Sequence, residues 1–194
     1  MYLQSLLAIF FPLIGSYSQE TAETPTPVLL PEEDPQNFPD QYADQVVTMN
    51  GEHWVKERTY SVMKPEPTCE YARIFDGDGT KYNLQLGAKL RGKWTNQNQT
   101  LVLKTSGNHT KPNVMEFSRT KADGRQDHKL LYSNYKNCSI VRIKRETQGL
   151  FCDLLLLGSA ANSEPPSPCK EKFEKYCEGQ KIQVYTSDCG TPQK

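Results

Sequence analysis

The chain has 194 residues, and its 23 basic and 23 acidic side chains give a formal net charge of zero. That balance offers no overall field for nucleic acid or an anionic membrane surface, which excludes nucleic acid as a partner. The length suits one domain, and after residue 18 the longest strongly apolar run is the four residues Leu154 to Leu157, far short of a membrane span.

Residues Leu6 to Ile14 form an apolar run broken by Pro12 and followed by Ser16, Tyr17 and Ser18. The run is too short to cross a bilayer and reads as a signal peptide over 1–18, so the mature protein is expected to be secreted. From 19 to 41 the chain is rich in Pro, Thr and Glu, and Pro25, Pro27, Pro31, Pro35 and Pro39 interrupt any helix or strand period. This stretch is expected to be a mobile leader, with the folded domain over 42–194.

Short strands then follow one another without intervening helices, the pattern of an antiparallel all-β architecture. They are expected at His53 to Val62, Cys69 to Phe75, Lys81 to Leu90, Leu101 to Lys104, Val114 to Thr120, Lys129 to Tyr132, Cys138 to Lys144 and Leu150 to Leu157. Asp76-Gly77-Asp78-Gly79 lacks the later ligands and closing Glu of a calcium loop and reads as a hairpin turn. After a break at Ser159 to Pro166 comes one helix, with Ser167 as cap, Pro168 at its first position and Gly179 beyond its end. Cys169, Phe173, Tyr176 and Cys177 share one face of it, and a last strand runs from Lys181 to Thr186. Eight antiparallel strands followed by one external C-terminal α-helix are the layout of a lipocalin-type barrel.

Six cysteines, at 69, 138, 152, 169, 177 and 189, read in an exported chain as three disulfides, with fifteen pairings open. No C-x₂-C pair occurs and His53, His109 and His128 lie far apart, so no metal site and no cofactor are expected. If Cys138 and Cys152 face outward to the helix, strand alternation turns Ser139, Val141 and Ile143 inward on one strand, and Asp153, Leu155 and Leu157 on the next. The same logic at Cys69 turns Glu70, Ala72 and Ile74 inward, and Phe117 and Tyr132 are candidates to add aromatic surface. The predicted lumen is mainly apolar, a form suited to one small ligand. Asp153 and Glu70 are its placed polar groups, unless Asp153 pairs with an arginine such as Arg91 or Glu70 is exposed.

No nucleophile elbow, HExxH helix or phosphate-cradling loop is present, so no enzymatic activity is expected. Sequons at Asn98, Asn108 and Asn137 mark glycosylation candidates, with Asn137 in competition with disulfide formation at Cys138.

Tyr132-Ser133-Asn134-Tyr135-Lys136-Asn137-Cys138 resembles the tyrosine-rich approach to a strand cysteine in the tick salivary lipocalins, the histamine-binding protein family. Thr68-Cys69, Pro168-Cys169-Lys170 and Val184-Tyr185-Thr186-Ser187-Asp188-Cys189 are similar to the same family in order and spacing, and the resemblance covers residues 42–190. It implies a secreted salivary barrel that sequesters host mediators such as biogenic amines, leukotrienes or other lipids. It also implies the pairings Cys69 to Cys189, Cys138 to Cys169 and Cys152 to Cys177. Amine-binding members resemble an acid, leucine, tryptophan strand where this chain has Asp153-Leu154-Leu155, and an acid where it has Ser139. A protonated amine needs a carboxylate and gains from an aromatic face. The departures therefore favour a larger, more apolar guest, a lipid, sterol or fatty-acid derivative, over histamine or serotonin. Lipocalin relatives in saliva also resemble immunomodulators and complement inhibitors that bind a host immune protein or cell through the outer surface. A monomer is expected.

Overall fold

The computed structural model describes residues 29–120, 122–145 and 149–190. The expected signal peptide over 1–18, and the leader up to residue 28, lie outside the described residues.

Eight strands close into an antiparallel barrel: β1 Glu52–Arg58, β2 Thr68–Gly77, β3 Lys81–Leu90, β4 Lys93–Lys104, β5 Val114–Phe117, β6 Gln126–Ser133, β7 Cys138–Arg145 and β8 Gly149–Leu157. β1 pairs with β8 on one side and β2 on the other, which closes the ring. Where β1 parts from β2, the short β9 (Ile182–Gln183) takes over the vacated edge at Glu57 and Arg58. The last strand is thus shorter than the expected Lys181 to Thr186.

Two differences in strand length have local causes. β4 begins at Lys93 rather than Leu101, although Asn96, Gln97, Asn98 and Gln99 are poor strand formers by propensity. A two-residue turn at Arg91 and Gly92, both at positive φ (51° and 76°), sets the hairpin, and an unbroken ladder from Lys81↔Val102 to Leu90↔Lys93 holds the polar stretch in register. β1 ends at Arg58 rather than Val62, and residues 59–67 form the loop to β2. At the opposite end of β3, Asp78 Oδ1 accepts from the Thr80 and Lys81 amides at 2.9 and 2.7 Å, so the turn falls at Asp78 to Thr80, while Asp76 and Gly77 of the expected turn still pair as the end of β2.

The interior is built from Leu84, Leu101, Leu103, Met115, Leu130 and Val141, and the short helix α1 (Ala43–Val46) presses Ala43 and Val46 into the same cluster. The tips of the β2–β3, β4–β5 and β6–β7 connections lie at this end, and the β1–β2, β3–β4 and β5–β6 connections surround the other. Outside, helix α2 (Ser167–Tyr176) lays Cys169 and Phe173 on Cys138, Ile140, Cys152, Leu154 and Leu156. Pro166 is its N-cap and Cys177 its C-cap, so Ser167 is the first helical residue and not the cap. Three disulfides join Cys69 to Cys189, Cys138 to Cys169 and Cys152 to Cys177, the pairings that the resemblance implies.

The described end of the expected mobile leader, residues 29–41, packs on the barrel. Glu32 is buried with its Oε2 3.0 Å from Arg142 Nη1, and Gln41 Nε2 donates to the carbonyls of Pro31 and Leu131, each at 3.0 Å. Closely spaced prolines exclude a regular period, but they do not prevent a strap held by individual side-chain bonds.

Candidate functional site

The barrel encloses a cavity of about 300 Å³. Of the residues expected to face the lumen, Glu70, Ala72, Phe117, Val141, Asp153 and Leu155 line it. Val55 and Leu86 complete an apolar wall, while Val62, Met63, Pro67, Leu90 and Thr120 line it at the end away from α1.

Three candidates lie elsewhere. Tyr132 belongs to the outer layer, beneath α2, with Lys172 Nζ 5.0 Å from its ring centre. The cause is a bulge: Leu130 pairs with Val141 and Tyr132 with Ile140, so Leu131 is the extra residue and inverts the alternation beyond it. Ser139 is buried but its hydroxyl donates to Ser133 Oγ at 3.0 Å, and it does not line the cavity. Leu157 likewise is not a cavity residue, being at the end of β8 against Gly51. Ile74 and Ile143 are also absent from the cavity wall; Ile74 packs against the interior cluster near α1.

The polar side of the lumen is a chain of alternating charges. Arg58 Nη2 lies 2.6 Å from Glu70 Oε1, Arg119 Nη2 lies 2.9 Å from Glu70 Oε2, and Arg119 Nη1 lies 2.6 Å from Asp153 Oδ2. The Tyr60 hydroxyl donates to Asp153 Oδ2 at 3.2 Å, and the Tyr60 ring lies 5.6 Å from the Arg58 guanidinium and 5.3 Å from that of Arg119. Arg91, the partner considered for Asp153 from sequence, is instead in the exposed β3–β4 turn. A second bulge explains Arg58. Val55 pairs with Leu155 and Glu57 with Leu154, so Lys56 is the extra residue, and Arg58 comes opposite Asp153 on the same side of the sheet. Two arginines and two carboxylates sum to zero, so the site carries no net charge when all four are ionised.

Burial dominates the protonation of the site. Desolvation pushes the Glu70 carboxyl up to about 7 against the opposing pull of Arg58. Desolvation also lowers the His53 imidazole to about 4, so this lumen histidine is neutral at physiological pH. His128 stacks on Phe117 with ring centres 3.7 Å apart and planes 4° from parallel, and its Nδ1 lies 3.0 Å from the Gln126 carbonyl.

Sequence reasoning missed Arg58, Tyr60, Arg119 and His53. Arg58 and Arg119 had a signal available, since two carboxylates assigned to a lumen require cations to pair with. Of the sequons, Asn98 and Asn108 are exposed, whereas Asn137 Oδ1 accepts from Asn134 Nδ2 at 2.8 Å and precedes the bridged Cys138.

No curated protein sequence matches the chain. Among solved structures it is similar to the AM182 serotonin complex, at 16% identity and a TM-score of 0.56 over 76% of this chain and 91% of that one. It is similar also to japanin from Rhipicephalus appendiculatus bound to cholesterol, at 10% identity and a TM-score of 0.54 over 71% of this chain and 93% of that one. Lobster apocrustacyanin A1 gives 12% identity and a TM-score of 0.55 over 77% and 86%. These likenesses establish the lipocalin-type fold. The family model described as tick histamine binding protein matches residues 31–191, from the strap that holds Arg142 through the last disulfide. The chain therefore belongs to the tick histamine-binding protein family, whose members are ligand-binding lipocalins and not enzymes.

Proposed function

We propose that this protein is a secreted salivary carrier that sequesters a small, mainly apolar host mediator of the lipid, sterol or fatty-acid class. The observation that carries the reading is the self-neutralised charge chain. Glu70 and Asp153 are both held by Arg119, and Glu70 also by Arg58, while Val55, Ala72, Leu86, Val141 and Leu155 form an apolar wall beside them. A protonated amine entering this lumen has to take a carboxylate from an arginine and bury a further charge, which is costly. An apolar body with a polar end meets neither obstacle. The apolar wall receives the body, and the charge chain orients the end through hydrogen bonds. The amino-terminal apolar run and three disulfides support secretion.

The test is native mass spectrometry of the chain secreted from eukaryotic cells, with solvent extraction of what it carries. A co-purified lipid or sterol is expected, and Leu155→Trp, which fills the lumen, is expected to lower its occupancy at least about tenfold. A delipidated protein that takes up histamine or serotonin but no lipid, and loses that uptake in Asp153→Asn, would overturn the reading.

A further inference from the structure

Glu70 of β2 faces charged groups from three other parts of the barrel. Arg58 of β1 lies against its Oε1, Arg119 of the β5–β6 loop lies against its Oε2, and the same Arg119 holds Asp153 of β8. The β1–β2 loop adds the negative charge of Glu66 to these surroundings and turns the Tyr60 hydroxyl to Asp153. The groups are not equally open. The Arg58 side chain is fully buried, whereas Glu70 and Arg119 keep 14% and 12% of their side-chain surface, and both line the cavity. The polar end of a molecule in the lumen therefore meets Glu70 and Arg119 and does not reach Arg58.

This cluster responds differently to the two signs of charge. A guanidinium does not give up its proton, so none of the four groups can relieve the excess positive charge that an added cation brings. An added carboxylate sets three acids against two arginines, and an acid can take a proton. An unneutralised charge in a closed lumen is costly, and of several carboxylates crowded on shared cations one becomes protonated. Glu70 is disposed to be that one. Burial already holds its carboxyl up at about 7 against the pull of Arg58, and Asp153 and Glu66 push the same way as burial.

We propose that the lumen binds a long-chain carboxylic acid as its carboxylate on Arg119, and that Glu70 takes up one proton from solvent as the ligand enters. This rests on reading the lumen as the container of a mainly apolar molecule, and it narrows the polar end to a carboxyl group. In the complex Arg119 Nη2 turns from Glu70 Oε2 to the ligand, the new Glu70 O–H donates to the ligand carboxylate, and Glu70 Oε1 still accepts from Arg58. Two arginines then balance Asp153 and the ligand, and the site is again neutral. An alcohol brings no charge and enters without a proton.

The experiment is calorimetric titration of the full secreted chain, delipidated, with dodecanoic acid and with 1-dodecanol at about pH 8, where empty Glu70 is mostly ionised. Phosphate and Tris buffers differ in ionisation enthalpy, so the difference in heat between them counts the protons taken up. The expected result is uptake of about one proton per dodecanoate and none with dodecanol, and a dodecanoate affinity that falls roughly tenfold from about pH 8 to 9. In Glu70→Gln the uptake is expected to drop to about zero. A second readout needs no variant: the ¹³C shift of carboxyl-labelled dodecanoic acid in the complex is expected to be that of an ionised carboxylate. Dodecanoate binding without proton uptake, uptake that persists in Glu70→Gln, a protonated carboxyl on the bound ligand, or binding of dodecanol but not dodecanoate overturns the Glu70 assignment and leaves the apolar-lumen reading standing. Uptake of neither probe overturns the apolar-lumen reading, and this inference with it.

Discussion

Arg119 Nη1 lies 2.6 Å from Asp153 Oδ2, an ion pair between the β5–β6 loop and the middle of β8. The same guanidinium reaches Glu70 on β2, so one loop residue fastens two walls of the barrel across the lumen. A side chain in that position is expected to affect both the stability of the barrel and the charge of the molecule that the cavity accepts.

Arg119→Met removes the cation that Glu70 and Asp153 share. The expected loss is about 3 kcal/mol, the scale on which removal of one member of a buried pair acts. Urea denaturation measures it. Histamine affinity is expected to rise in the same variant, because two carboxylates then face the lumen with one arginine between them, and a calorimetric titration would detect the gain. A variant as stable as the parent, with no gain in amine binding, would show that Arg119 controls neither.

The pH dependence of stability is expected to be nearly flat in the parent and sloped in two variants. His53 titrates at about 4 in the folded chain against 6.5 when free, so between those values the unfolded chain binds the extra proton and stability rises with pH. Glu70 titrates at about 7 when folded against 4.5 when free, so there the folded chain binds the extra proton and stability falls as pH rises. Each effect amounts to about 3 kcal/mol over its window, and the two oppose each other where the windows overlap. Glu70→Gln should therefore expose the rising slope and His53→Phe the falling one, in thermal melts taken from pH 4 to 7. Parallel profiles for the parent and both variants would contradict this account.

Cys69 and Cys189 are 120 residues apart, whereas the two bridges to α2 span 31 and 25 residues. Loop-closure entropy in the unfolded chain predicts a loss of about 5 kcal/mol on replacing the first pair by serine and about 3.5 kcal/mol for either of the others. The order of the melting temperatures of the three double variants checks it. A reversed order would mean that fastening α2 to the outer layer, where Phe173 is buried, outweighs the entropy of the chain.

The candidate site was half legible. Val141, Asp153 and Leu155 were placed in the lumen by combining period-two alternation with one constraint, the outward direction of Cys138 and Cys152, and that argument holds wherever the strand is regular. It fails at Tyr132 because a single extra residue at Leu131 inverts the faces, and nothing in the local sequence marks that position. The bulge at Lys56 that carries Arg58 round to Asp153 is invisible for the same reason. A bulge is decided by how two strands share their hydrogen bonds, which is a property of the pair and not of either strand alone.

By itself, the sequence determined the all-β class, the antiparallel order of eight strands and the external helix, because these depend on periodicity, turn residues and helix-face spacing that neighbouring residues express together. It also determined that the lumen would be mainly apolar. Only the tertiary structure decided how the two lumen acids are neutralised, because Arg119 lies 34 residues from Asp153 and 49 from Glu70 in the chain. Only the tertiary structure decided, too, that His53 is buried with an unmet nitrogen, since burial is a sum over every strand that closes around it. Charges and lone pairs inside a closed barrel are set by what faces them across the lumen, and the ring closes only once β1 meets both β2 and β8.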